Sequence, residues 1–149
     1  MEVEKRNRAL TNWQKSEASI KNYRNYIDRK TDKFQLTLID LLYVSNFKGG
    51  NATINEDEKV IETKLQAYGN ILLLIDQEFY SQTLVQLSGS KLERLIELAG
   101  NFLGLGKNSE TSIDGFKFSF LSALLHIYFP NLLPILDRRL LINLELVTD

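Results

Sequence analysis

No cysteine occurs among the 149 residues, so disulfides, thiolate nucleophiles and thiolate metal sites are all excluded, and the cytoplasm is the expected compartment. Only two prolines and eight glycines interrupt the chain. A hairpin normally needs a residue that tolerates positive φ or fixes φ, so their scarcity favours long helices over a turn-rich β architecture. One histidine is too few for a histidine-rich metal site. No segment approaches the ~20 apolar residues that span a bilayer. The opening run Met1-Glu2-Val3-Glu4-Lys5-Arg6-Asn7-Arg8 also lacks the apolar core of a signal peptide, so no membrane partner is expected.

What is present is ordinary globular material, 44% hydrophobic and 25% charged. A chain of this length buries roughly two-thirds of the surface it exposes when unfolded, enough for one core. With no repeat, low-complexity tract or linker, residues 1–149 are expected to form a single helical domain. The net charge of −1 hides an asymmetry: residues 1–33 carry nine Lys/Arg against five Asp/Glu, and the remainder nine against fourteen.

Hydrophobic periodicity supplies the elements. Residues 4–29 hold no Pro or Gly and place Leu10, Trp13, Ile20 and Ile27 on one seam, in which Glu17 and Arg24 fill the other positions. The inner face is therefore only partly apolar, and Lys15, Lys21, Arg24 and Arg29 are expected to face solvent or a partner. Thr31 or Asp32 is the expected cap of a second helix running to about Asn46, with Leu38, Leu41, Leu42 and Ser45 on its inner face. Phe34, Leu36 and Leu38 also alternate as a short strand would.

Gly49-Gly50-Asn51 breaks the chain. From Asn55 or Glu56, the series Ile61, Leu65, Tyr68, Leu72, Ile75, Phe79 steps alternately by four and three. Glu56, Asp57 and Glu58 stand where a helix dipole favours carboxylates. Residues 91–103 repeat the helical spacing through Leu92, Leu95, Ile96, Ala99, Phe102 and Leu103, and 104–111 read as a loop. Residues 118–129 are almost wholly apolar up to Pro130, as in a helix buried on all sides, and a short helix is expected over 137–146. The expectation is an all-α bundle of about five to seven helices around the central apolar helix. Ile61, Leu65, Leu72, Ile75, Leu95, Phe102, Leu121, Leu124 and Leu125 are its expected core.

Several chemistries drop out. Gly104-Leu105-Gly106-Lys107-Asn108-Ser109 has the glycines and lysine of a phosphate loop, but Asn101 and Asn108 stand where Gly and Ser/Thr are required, and a helix precedes it instead of a strand. His126 lies on the most apolar segment and is expected to bond a backbone carbonyl or a serine. Glu56, Asp57 and Glu58 are adjacent on a helix and do not converge on a cation. No metal or cofactor is expected. The basic N-terminal helix, with Trp13, Tyr23 and Tyr26 among its cations, has the residue types that track phosphates and stack on bases.

A further constellation is Ile113-Asp114-Gly115-Phe116-Lys117-Phe118-Ser119, then the apolar segment, Pro130, Pro134-Ile135-Leu136 and Asp137-Arg138-Arg139. Over residues 113–140 this resembles the helix-hairpin-helix DNA glycosylases, in particular their 8-oxoguanine glycosylase-like branch. The resemblance aligns Gly115 with the first hairpin glycine and Asp137 with the catalytic aspartate that assists departure of a damaged base. Lys117 falls near the second glycine and Ser119 near the lysine nucleophile of bifunctional members, so a Schiff-base route is not implied. Without the resemblance, Asp137 reads as an N-cap after a proline loop.

With no complete catalytic constellation, the expected function is a non-catalytic binding or regulatory module that meets a protein partner or nucleic acid. Lys15, Lys21, Arg24, Arg29, Lys117 and Arg138 are the candidate phosphate contacts. The competing reading is a reduced glycosylase-like base-excision enzyme with Asp137 as its catalytic residue.

Overall fold

The computed structural model describes residues 2–48 and 53–135. The helices among them are α1 (Glu2–Arg29), α2 (Leu38–Phe47), α3 (Glu58–Phe79), a 3-10 turn (Leu84–Gln86), α4 (Gly89–Gly104) and α5 (Phe118–Tyr128), with no strand between them. The expected all-α bundle is what the chain forms. Among the described residues no helix is long and apolar enough to cross a membrane. The Gly49-Gly50 break, the helix expected over 137–146, and both Asp137 and Arg138 lie outside the described residues.

Helix α5 is the hub. Leu121, Ser122, Ala123, Leu124, Leu125 and Ile127 are buried on it, and it packs against α1, α2 and α4. Helix α3 buries its whole expected stripe, together with Gly69. All nine residues expected in the core are buried. At about 1.5–3 kcal/mol for each large apolar side chain removed from water, these stripes determine which helix faces meet. Gly69 lies on the buried face of α3 because a Cβ there would overlap the Phe34 carbonyl oxygen, so the chain between α1 and α2 packs directly on α3 at this point.

The α1–α2 connection departs from expectation. Helix α2 begins at Leu38 and is capped by Thr37, in place of Thr31 or Asp32. The Asp32 carboxylate accepts from the Phe34 amide (3.0 Å) and fixes a turn, so the polar residue that resembled a helix cap serves the loop instead. Asp40, Leu41, Val44 and Ser45 form the inner face of α2, while Leu42, expected inside, is half exposed. The face rotated because the buried anchor of this helix is a carboxylate.

Asp40 is 0% exposed. Its carboxylate accepts from the Tyr23 hydroxyl of α1 (2.8 Å), from Lys30 Nζ (2.9 and 3.2 Å) and from the Thr37 amide (2.8 Å). As the third residue of α2 it closes back on the cap in the manner of a capping box. Around it, Tyr23 stacks on Tyr43 (5.1 Å between centroids), Tyr43 on Tyr26 (5.1 Å), and Lys30 Nζ lies 5.7 Å from the Tyr26 ring centre. Tyr128 of α5 meets Tyr23 edge-on and donates from its hydroxyl to the Lys33 carbonyl.

Other boundaries shifted by local hydrogen bonding. Helix α3 starts at Glu58 with Asp57 as its cap, accepting from the Lys59 amide (2.9 Å). Glu56 stands outside that helix and pairs with Lys64. In α4, Leu95, Leu98 and Phe102 are buried, and Ile96, expected on the same face, is exposed, because the inward stripe follows steps of three and four from Leu95.

Removal of the Asp40 carboxylate would leave a phenol, an ammonium and an amide without their acceptor. Asp40→Ala is expected to cost about 3–5 kcal/mol of unfolding free energy. Tyr23→Phe, which spares the ion pair, is expected to cost about 1 kcal/mol. Urea titration followed by circular dichroism gives both values, and equal losses would show that the ion pair adds nothing.

Burial, and then the Asp40 charge, push the Tyr23 phenol well above its ordinary value, and the same two causes raise Tyr128. Burial and Glu56 push Tyr68 up to about 12. The folded chain thus holds these protons to higher pH than the unfolded chain does, and unfolding releases them. The Tyr68 contribution is complete below about pH 10 and is lost as the pH rises to about 12, and those of Tyr23 and Tyr128 decline across the same interval. The urea midpoint is expected to fall across that interval, with less of the fall remaining in Tyr68→Phe.

Candidate functional site

Helical spacing places Glu17, Ile20, Lys21, Arg24 and Asp28 along one side of α1, and these residues form one wall of a cleft of about 750 Å3. Phe47 from the end of α2, His126 from α5 and Ile135 contribute opposite it. Tyr23 and Ile27, on the adjoining side of α1, are buried in the core, so this wall is held by the packing that anchors the helix.

The Arg24 guanidinium is the unusual group here. Its Nε is buried and has no hydrogen-bond partner among the described residues. Asp28, one helical turn onward, pairs with Lys33 (3.5 Å) instead. A buried N–H is normally satisfied, and the residue that carries this one lines a cleft with apolar walls at Ile20, Phe47 and Ile135. His126 Nδ1 lies 2.8 Å from the Leu133 carbonyl oxygen. A carbonyl can only accept, so Nδ1 carries the proton and the ring is fixed against the segment that leads to Ile135. The carbonyl partner expected for this histidine is present, and the residue also lines the cleft.

The candidate residues separate. Lys21 and Arg24 come together with His126, and Arg24, expected to face solvent or a partner, is partly exposed. Lys15 is exposed nearer the start of α1, and Arg29 is exposed at its end, with Nε donating to the Asn25 carbonyl (3.2 Å). Lys117 is the exposed N-cap of α5. It precedes His126 by nine residues, about 13 Å along the helix. Ile135, two residues before Asp137, lines the cleft.

Gly115 occupies the position that requires it, with φ 83° in a tight turn closed by the Phe116 amide donating to the Ile113 carbonyl (3.0 Å). Three bonds fasten this turn to α3 and the residue before its cap. Lys64 Nζ donates to the Ser112 carbonyl (2.8 Å), the Tyr68 hydroxyl to the Thr111 carbonyl (3.0 Å) and the Asp114 amide to Glu56 (3.4 Å). The turn therefore stands at the beginning of α5, whereas the cleft lies towards its other end.

Sequence reasoning missed the cleft, but a signal for it was present. Glu17 and Arg24 stand in positions of the α1 seam that apolar residues would fill if that seam met only the core. In comparisons with known proteins, no family model matches the chain, and neither a curated protein nor a solved structure matches it with significance.

Proposed function

We propose that the protein is a non-catalytic binding module that engages the phosphates of nucleic acid through α1. The carrying observation is the division of this helix. Over its 28 residues it bears seven Lys/Arg against four Asp/Glu, and among its described side chains burial begins only at Tyr23. Lys5, Arg6, Arg8 and Lys15 are exposed and have no ion-pair partner among the described residues. A helix whose described first turns are exposed and rich in charge gains little there from the core and suits a surface supplied by a partner.

Arg8, Lys15, Asn22 and Arg29 recur every seven residues and drift by only about 20° per step, which aligns them as one stripe roughly 30 Å long. Such a stripe meets successive phosphates without reading sequence. Fluorescence anisotropy with a labelled duplex is expected to give affinity that falls steeply with salt. The triple change Arg8→Gln, Lys15→Gln, Arg29→Gln is expected to lower the slope of log affinity against log salt by about one unit per lost contact. Absence of binding even at low salt would leave a protein partner as the remaining form of this reading.

A second reading is favoured by the place of Ile135. If the helix-hairpin-helix resemblance is functional, the cleft that Ile135 lines would receive an extruded base, Asp137 would assist its departure, and Lys117 and Arg138 would contact phosphates. Duplexes bearing common base lesions, incubated with the wild type and with Asp137→Asn, test it. Base loss abolished by the substitution in a folded protein would support the enzyme. Equal release, or none from either protein, would return the chain to the binding class.

A further inference from the structure

We propose that the cleft beside α1 takes a small molecule bearing one carboxylate on an apolar body, with the carboxylate held by Arg24. The site stands apart from the phosphate stripe, and the inference does not depend on the nucleic-acid reading. Arg24 Nε is buried and without a partner among the described residues, and it belongs to a planar group whose Nε–H and adjacent Nη–H point the same way. Two carboxylate oxygens match that edge with two parallel, charge-assisted bonds. A ligand that supplies them satisfies a donor for which no described residue is the acceptor.

The surroundings restrict what carries the carboxylate. Ile20, Phe47 and Ile135 are apolar walls, so the rest of the ligand is hydrocarbon or aromatic. Among the described lining residues, the four formally charged side chains, Glu17, Lys21, Arg24 and Asp28, sum to zero. A monoanion leaves the cleft with a charge of −1, whereas a phosphate dianion would add a second negative charge beside two carboxylates. The cleft volume, about 750 Å3, falls within the usual range for small-molecule sites.

The test is a nuclear magnetic resonance titration of the full chain labelled with nitrogen-15, using sodium phenylbutyrate, its uncharged amide and inorganic phosphate as probes. Phenylbutyrate is expected to shift the Arg24 Nε–H signal and the backbone amide signals of Ile20, Lys21 and Phe47 saturably, the amide signals being the readout in the Arg24 variants, with the uncharged amide and phosphate each at least about tenfold weaker, as loss of charge pairing or of the apolar body requires. Arg24→Gln is expected to abolish that binding, while the triple stripe variant retains it. If Arg24→Gln loses its fold by circular dichroism, Arg24→Lys keeps the charge without the fork and is expected to bind about tenfold more weakly. The inference is overturned by any of four results. These are no saturable shift at millimolar phenylbutyrate, equal binding of acid and amide, equal binding of phosphate, or affinity unchanged by the Arg24 substitution that folds.

Discussion

The Asp40 carboxylate gathers the Tyr23 hydroxyl from α1, the Lys30 ammonium from the chain just after it and the Thr37 amide from the cap of α2, and so fixes three consecutive pieces of the chain at one point. An ion taken out of water is tolerated only when its oxygens are satisfied, and here both are. That requirement sets the rotation of α2. It turns Val44 and Ser45 inward and leaves Leu42 outside. It also determines which side of α1 reaches the core, and hence which side is left to form the cleft wall.

A second constraint, steric in origin, acts on the same connection. Phe34 lies against α3 where Gly69 has no side chain, and its ring meets Tyr128 of α5. The loop is thus held by a carboxylate on one side and by a close backbone approach on the other. Neither contact is a hydrophobic stripe, although both occur inside a core built from stripes.

This distinction explains what was readable from the sequence. Helices α3 and α5 were legible because their burial follows periodicity, with an alternation of four and three from Ile61 to Phe79 and a nearly unbroken apolar run before Pro130. The start of α2 was not. Thr31, Asp32 and Thr37 are all chemically suited to cap a helix, and the choice among them was made by Asp40 three residues beyond Thr37, through a contact with Tyr23 seventeen residues away. The exposure of Ile96 was hidden for a related reason, since only packing decides which edge of an apolar stripe faces in. Of the site, Lys21 and Arg24 were legible as cations on α1. Their meeting with His126 and Ile135 depends on how α1 crosses α5, which no local pattern records.

The bond between Tyr128 and the Lys33 carbonyl joins residues 95 positions apart. The helix at the hub of the bundle is also late in the chain, since α5 ends at Tyr128 and every other described helix precedes it. During synthesis, α1 and α2 can meet each other and α4 can meet α3 as they emerge, but the parts of α1, α2 and α4 that pack on α5 are made before that surface exists. Those parts are covered only once α5 has emerged, and until then they are open to chaperones or to other nascent chains.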